Sequence, residues 1–157
     1  MIKRRFLIAL ALSLLSCQSA VPKNLQVYNP SHRLLFVAIM GSSEQIAYLN
    51  QPDVATLAVG FQYVPLQLSC PFNLVEDRRY WEQHYAQLSF EQYMKQRSCA
   101  LSDRDWELVN ELAVTSTPEF RIYSADGRRL LSSMSGDADD AKTIAQLRQF
   151  LVSAARR

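Results

Sequence analysis

The chain has 157 residues, of which 48% are hydrophobic, with 17 Lys and Arg against 15 Asp and Glu. Three of the 17 basic residues lie in the first 16 positions, so the rest of the chain carries 14 basic and 15 acidic side chains. A near-neutral chain without a Lys/Arg cluster lacks the electrostatic footprint of a nucleic-acid-binding protein, and we expect no nucleic-acid partner. The remaining ~140 residues suffice for one domain with one core.

The first 16 residues have the pattern of an export signal. Residues 3–5 are basic, residues 6–15 are apolar, and Ser16 and Cys17 form a small-residue cleavage site. The apolar run is much shorter than the ~20 residues that span a bilayer. Residues 14–17 resemble the lipobox of bacterial lipoproteins, which implies that Cys17 carries lipid, and Gln18 after it implies the outer membrane of a Gram-negative bacterium. The alternative is an ordinary signal peptide cleaved near Ala20.

Cys70 and Cys99 are the other two cysteines of the chain. In an oxidising compartment they predict a disulfide, and closing a loop of about 30 residues would stabilise the fold by roughly 3–4 kcal/mol. Two separate thiols are the alternative. His32 and His84 have no partner at metal-ligand or catalytic-triad spacing, so we predict no metal and no cofactor.

Residues 17–32 contain Pro22 and Pro30 without apolar periodicity and are interpreted as a tether, followed by one domain over residues 33–157. The continuous apolar run of residues 34–40 predicts a strand buried on both faces. After it, Ser42 and Gln45 have the spacing of a capping box, which predicts a helix that ends at Pro52.

Residues 54–64 alternate in polarity and predict a second strand that ends at Pro65, in a parallel βαβ unit with the first. Residues 76–97 have a helical pattern with a break near Ser89, where Gln92 completes a new capping box. Ser102 begins another helix. A last helix starts around residues 137–140; its buried side is predicted to consist of Ile144, Leu147, Phe150 and Leu151.

Between these last two helices, residues 114–131 predict a hairpin. Two alternating runs flank Asp126 and Gly127, which suit a tight turn, and Thr117-Pro118 precedes the first run. Judged on these residues alone, Pro118 is a trans proline at a strand entry.

The order helix, Thr-Pro, strand, Asp-Gly turn, strand, helix resembles the second half of a thioredoxin fold, closest to the periplasmic disulfide isomerases of the DsbC and DsbG kind. The resemblance covers roughly residues 33–153. It implies an α/β fold with a four-stranded mixed sheet, helices on both faces and a helical insertion. It also implies that Pro118 is cis and that Thr117 and Pro118 face the redox site.

The residues at the expected redox site are not those of an enzyme. That position should hold a Cys-x-x-Cys at the start of the first helix, where the helix terminus lowers the thiol pKa. Ser42 and Gln45 stand there instead, and a serine hydroxyl without a neighbouring base cannot exchange disulfides. We therefore interpret Ser42 as a helix cap and predict no catalytic residue.

The sequence-based expectation is a lipid-anchored periplasmic protein that works as a binding or assembly component. Resemblance alone suggests conjugation or type IV secretion as its setting. An extended peptide would bind between Thr117-Pro118 and residues 42–45 by strand addition. The tether leaves no room for the dimerisation domain of the family, so we expect a monomer. One alternative is an oxidoreductase or isomerase that uses Cys70 and Cys99, or a partner's thiols. Another is a purely structural envelope lipoprotein, whose fold carries no functional meaning.

Overall fold

A computed structural model describes Asn29 and residues 31–157. The predicted signal peptide, Cys17 and most of the predicted tether lie outside the described residues. The described residues form four strands, β1 (Leu35–Met40), β2 (Gln62–Gln67), β3 (Glu119–Tyr123) and β4 (Leu130–Ser135). The six helices among them are α1 (Ser43–Ile46), α2 (Pro52–Ala58), α3 (Leu74–His84), α4 (Phe90–Gln96), α5 (Asp103–Leu112) and α6 (Asp140–Ala155). None of these helices is long and apolar enough to cross a membrane.

The strands form one mixed sheet in the order β2-β1-β3-β4. β1 and β2 are parallel, whereas β3 is antiparallel to both β1 and β4. All six residues of β1 are buried, as the continuous apolar run predicted. With helices on both sides, this is the thioredoxin-like arrangement that the sequence predicted.

The sheet separates two apolar clusters. We call the side with α1, α2 and α6 the apolar face; its core includes Phe36, Phe120, Leu147 and Leu151. We call the side with α3, α4 and α5 the insertion face; its core includes Leu35, Met94 and Leu112. Alternate residues of β1 enter the two clusters because successive side chains of a strand point to opposite faces.

The region between β1 and β2 corrects two predictions. Pro52 does not end a helix but begins α2, at a position where its missing N–H is not needed. Residues 54–58 are helical rather than extended, and Val54, Leu57 and Ala58 pack on the apolar face at helical spacing. Pro65 does not end the strand but lies inside β2, opposite Ala38. β2 is an edge strand, which tolerates a proline whose missing N–H would face outward.

The helices after β2 confirm the predicted break and two predicted helix starts, although α3 begins at Leu74 and ends at His84. α3 and α4 are separate helices, and Ser89 and Gln92 form the predicted capping box at the start of α4. Ser102 caps α5, where its side chain accepts a hydrogen bond from the Asp105 N–H. Leu147 and Leu151 of α6 are fully buried.

The predicted hairpin is confirmed as β3 and β4. The turn between them contains Gly127 with a φ of 70°, a conformation that glycine adopts without steric cost. A register shift occurs beside Tyr123, which pairs with Leu130.

Candidate functional site

The site that the resemblance implied lies where β1 ends, and three chain segments meet there. Gly41 follows β1, and a Cβ atom placed on it would lie 2.2 Å from the Pro71 Cα and 2.6 Å from the Thr117 Oγ1. Such distances are far below van der Waals contact, so only glycine allows the three segments to approach this closely. The structure thus brings the segment that contains Ser42 and Gln45 against Thr117 and against the residue that follows Cys70.

The start of α1 differs from its prediction. Ser42 is the N-cap residue by position, with an extended backbone, but its side chain makes no capping hydrogen bond. The Gln45 Oε1 accepts a hydrogen bond from the Gly41 N–H at 2.7 Å, one residue earlier than a capping box requires. The predicted capping box is therefore wrong. The amide of Gln45 instead fixes the turn that leads from β1 into α1.

The Thr117–Pro118 peptide bond is cis. The Pro118 ring packs on Gly136, where an added Cβ would lie 2.5 Å from the Pro118 Cγ. The Gly136 N–H donates to the Pro118 carbonyl at 2.8 Å, which extends the pairing of β3 and β4 by one residue pair. The proline is therefore held from the β4 side.

On its other side, the Thr117 backbone is already paired. The Thr117 N–H donates to the Phe72 carbonyl at 2.9 Å, and the Leu74 N–H donates to the Thr115 carbonyl at 2.8 Å. The Phe72 N–H donates to the Thr117 Oγ1 at 3.1 Å. Together with the bridge between Asn73 and Ser116, these bonds make a short antiparallel pair. The strand-addition position beside Thr117 is occupied by the chain's own residues 71–74.

Residues 71–74, which cover the backbone of Thr117 and which we call the covering segment, are fixed at both ends. Phe72 is 4% exposed and belongs to the core of the insertion face. The Asn73 side chain caps α3 by accepting from the Val75 and Glu76 N–H groups. The Arg97 guanidinium donates to the Asp77 Oδ2 at 3.1 Å and to the Pro71 carbonyl at 3.4 Å. These anchors identify the segment as part of the packed fold.

Cys70 and Cys99 form the predicted disulfide, with their Cα atoms 5.7 Å apart. Cys70 is completely buried in the core of the insertion face, whereas Cys99 is exposed. The pair joins the start of the covering segment to the loop before α5. Cys70 directly precedes Pro71, which contacts Gly41, but neither cysteine belongs to α1, where a redox pair of this fold would lie.

Asp105 connects both ends of the disulfide loop. Its Oδ2 accepts a hydrogen bond from the Ser69 N–H at 2.8 Å and another from the Ser69 hydroxyl. The Ser69 Oγ in turn accepts from the Ser102 N–H at 3.1 Å. Burial alone would raise the pKa of the Asp105 carboxyl, but the hydrogen bonds from Ser69 and Ser102 outweigh it and the pKa lies below its usual value. The carboxylate is thus charged and holds the two segments together.

A separate cleft lies on the insertion face between α4 and α5. Its volume is about 640 Å³, within the range of binding clefts in general. Phe90, Met94 and Trp106 contribute to its apolar lining, and the exposed residues Lys95 and Glu107 contribute charges of both signs. Sequence reasoning did not predict this cleft.

The histidines do not join the site. His32 is exposed near the start of the domain, and the His84 ring stacks on Tyr80 at a centroid distance of 4.3 Å. Within the described residues there is no group of three or more His, Cys, Asp or Glu side chains that could hold a metal ion.

Sequence reasoning missed the role of Phe72. Residues 71–74 and 115–117 are about 45 positions apart in the chain, and neither segment has strand periodicity. The one available signal was the pair of proline-containing segments, Cys70-Pro71 and Thr117-Pro118, each of which favours extended backbone at the residue before its proline.

No family model matches the chain, and no curated protein matches it. Among solved structures, the exposed lipoprotein thioredoxin of Streptococcus pneumoniae strain TIGR4 is similar to this chain at 17% identity and a TM-score of 0.34. The alignment covers 75% of this chain and 85% of that chain. A similarity at this level supports no conclusion about activity, and the assignment of the fold rests on the strand order, the strand directions and the position of the helices.

Proposed function

We propose that this protein is a lipid-anchored periplasmic binding component that serves the assembly of an envelope machine, and that it does not exchange disulfides. The observation that carries the proposal is the occupation of the redox position. Ser42 and Gln45 stand at the start of α1, and the backbone of Thr117 beside them is paired with Phe72.

The chemistry at this position supports a binding role. Disulfide exchange needs a thiolate of lowered pKa and a second thiol that resolves the mixed disulfide. The hydroxyl of Ser42 stays protonated at neutral pH, and the Gln45 amide is already bonded to Gly41. A substrate peptide would also need the Thr117 N–H, which donates to Phe72. Both requirements of the enzyme are therefore unmet at the same place.

The export signal and the lipobox-like residues support the proposed location. A disulfide between Cys70 and Cys99 fits an oxidising compartment such as the periplasm. Lipid on Cys17 would anchor the domain to the outer membrane, since several acyl chains bind far more firmly than one. Conjugation and type IV secretion systems remain the proposed setting, by resemblance to the small lipoproteins and DsbC-like proteins that they contain.

Cell fractionation tests the anchor. We expect the wild type in the membrane fraction and the Cys17→Ser variant in the soluble fraction or as an unprocessed precursor. A wild-type protein found soluble, with Ala20 or a neighbour as its unmodified N-terminus, would overturn this part of the proposal.

For the partner, an envelope protein, we propose the cleft between α4 and α5 as the binding surface. The strand-addition position beside Thr117 is occupied by Phe72. The cleft is instead lined by Trp106, by Phe90, whose ring lies under the Arg78 guanidinium, and by charged groups of both signs. Such a combination suits a protein segment with one or two apolar anchors and charged neighbours.

Site-specific photo-crosslinking in cells tests the binding surface. A crosslinker at Glu107, beside the cleft, should capture a discrete partner, and one at Ser43, beside the occupied strand-addition position, should not. Capture only at Ser43 would show that this position opens and that the cleft is not the site.

Insulin reduction and the refolding of a scrambled disulfide substrate test the absence of exchange. We expect the purified chain to show no turnover above background, with the same result for the Cys70→Ala/Cys99→Ala variant. Turnover by the wild type that disappears in this variant would establish the enzyme and overturn the proposal.

One observation favours the enzyme as the second candidate. Cys99 is exposed while Cys70 is buried, so an incoming thiolate could reach one sulfur of the disulfide. Such an attack at Cys99 would release the Cys70 thiolate into an apolar core. Apolar surroundings raise a thiol pKa, which makes Cys70 a poor leaving group. This is why we rank the candidate second.

A further inference from the structure

The two edges of the sheet differ in how they are protected. β2 has Pro65 in its middle, which removes an outward N–H and blocks pairing with another strand. β4, at the opposite edge, has the sequence Leu-Leu-Ser-Ser-Met-Ser and contains neither a proline nor a charge. Near the start of β4 this edge is protected in part, by the register shift beside Tyr123 and by the Arg157 guanidinium, which donates to the Leu131 carbonyl at 2.9 Å. Ser133 and Ser135, farther along the strand, have no such cover among the described residues. The difference indicates that the outer side of β4 is an interaction surface.

The register of β4 shows which groups face outward. The Gly136 N–H bonds to the Pro118 carbonyl, so Gly136, Met134 and Ser132 direct their backbone groups toward β3. By alternation, the N–H and C=O groups of Ser133 and Ser135 point away from the sheet. The side chains of both serines are exposed. A second strand could therefore pair here without displacing any bond of β3 with β4.

The charges around β4 are arranged by sign. Arg128 and Arg129 directly precede the strand, and Asp137, Asp139 and Asp140 follow it. Lys142 neutralises part of the acidic end through its contact with Asp137. A copy of this segment placed parallel would bring like charges together. An antiparallel copy would place the basic end of each strand against the acidic end of the other, as a self-complementary interface requires.

The flank of α6 beside β4 extends this surface. A groove of about 410 Å³ lies between them, with Met134 on the strand side and Gln146, Gln149, Phe150 and Ser153 on the helix side. Pairing of two six-residue strands alone falls short of the ~1,200 Å² that a stable interface buries. The flank of α6, which is uncharged along this groove up to Arg157 at its end, supplies the additional area. A twofold axis through β4 brings the two copies of α6 to the same side of the sheet.

From these observations we propose that two copies of this chain pair through β4, antiparallel about a twofold axis at Ser133, to form one eight-stranded sheet. Ser133 then lies opposite Ser133 of the partner subunit, and Ser135 lies opposite Leu131 of the partner subunit. Beyond the register shift at Leu131, the basic end of each strand, with Arg128 and Arg129, then lies near Asp137 of the partner subunit. The dimer replaces the monomer expected from the sequence, and it buries the sheet edge that has no proline within its strand.

Disulfide crosslinking of the full chain in cells tests the register. Ser133→Cys should give a reductant-sensitive species with the mass of two chains, because the facing Cα atoms of an antiparallel pair are about 5.5 Å apart. Ser135→Cys is the matched control in the same strand. Its two copies would lie four residues apart, or about 13 Å, and should not crosslink. Crosslinking of Ser135→Cys to the same extent as Ser133→Cys, or of neither, would overturn the proposal.

Sedimentation of the detergent-extracted full chain tests the dimer itself. The wild type should sediment with two chains per particle, and Ser133→Pro should sediment with one. Ser133→Pro should lose only the stability that association adds, because the Ser133 N–H points away from β3. Ser132→Pro, which removes an N–H that faces β3, should lose more stability. A monomeric wild type, or one bound through β4 to a different protein, would contradict the proposal.

Discussion

The apolar face and the insertion face of the sheet are stabilised by different interactions. Among the described residues, the apolar face buries hydrophobic side chains such as Phe36 and Leu147 and, of the polar ones, only Thr143. The insertion face buries Glu119 and Arg121 under α5 and contains the Cys70–Cys99 disulfide. One face thus depends on close packing, and the other on paired charges, hydrogen bonds and a covalent link. Removing one member of the buried ion pair on the insertion face should therefore lower the free energy of unfolding more than removing methyl groups from a buried side chain on the apolar face.

The charged group at the centre of the insertion face is Arg121. Its Nε donates to the Glu119 Oε1 at 2.6 Å, and its terminal nitrogens donate to the Leu112 and Ala113 carbonyls at 2.6 and 3.3 Å. These carbonyls belong to the end of α5, where a cation is favoured by the helix dipole. The Glu119 Oε2 is buried without a partner among the described residues. Arg121 therefore stabilises both the carboxylate and the helix end.

The largest effect is expected for Arg121→Met. The variant leaves a buried carboxylate uncompensated and two carbonyls without donors, which should lower the free energy of unfolding by about 4 kcal/mol. Urea denaturation measures it. The double variant Glu119→Leu/Arg121→Met removes both charges and should recover most of the loss. A single variant within about 1 kcal/mol of the wild type would show that the ion pair is not central to the insertion face.

On the apolar face, Leu147→Ala should lower the free energy of unfolding by about 3 kcal/mol, through lost burial and the cavity left behind. Leu147 is fully buried between α6 and the sheet. Ile144→Ala, one turn earlier and only partly buried, is the matched control and should cost less. Equal losses in the two variants would mean that the apolar face adjusts its packing freely.

A smaller difference separates two serines that precede helices. Ser102→Ala removes a side-chain hydrogen bond to the Asp105 N–H and should cost about 1 kcal/mol. Ser42→Ala, at the start of α1 on the apolar face, removes no capping bond and should leave the free energy of unfolding within about 0.5 kcal/mol of the wild type. Equal costs would contradict the assignment of the caps.

These two serines also show where sequence reasoning succeeds. Ser102 and Ser89 were predicted correctly because each precedes a helix with a polar residue three positions later and a regular apolar side. Ser42 has the same local pattern, but α1 has only four residues and Gln45 bonds to Gly41 instead. Local spacing cannot reveal this, because the tight contact of Gly41 with Pro71 is a tertiary constraint.

The prediction for the region from Pro52 to Pro65 was wrong for a related reason. A proline ends a helix or begins one, and ends a strand or lies within an edge strand, depending on which backbone N–H is not needed. The local sequence around a proline does not show which of these arrangements forms. By contrast, the hairpin of β3 and β4 has alternating residues and one turn signal that agree, and it was predicted with its turn. The segments that contain Phe72 and Thr117 have neither alternating residues nor a turn signal, so their pairing was not predicted.

The smallest expected effect is a pH dependence on the insertion face. Asp105 has a pKa below its usual value in the folded protein, because the hydrogen bonds from Ser69 and Ser102 outweigh its burial. A carboxyl whose pKa is lower in the folded than in the unfolded state contributes stability above the unfolded value, near 4, and this contribution is lost as the pH falls through the folded value. The group is only half-buried, so solvent screening keeps the effect small.

Thermal unfolding of Asp105→Asn across a pH series measures this contribution. The midpoint of the variant should lie below that of the wild type at pH 7, and the gap should narrow as the pH falls below about 4, where the wild-type carboxyl gains its proton. Asp103→Asn, in the same helical turn, controls for the loss of a negative charge near the start of α5. A gap for Asp105→Asn that stays constant from pH 7 to pH 3 would show that Asp105 acts by shape and not by charge. In this loop, the stability of the insertion face would then depend on packing, as it does on the apolar face, and not on charge.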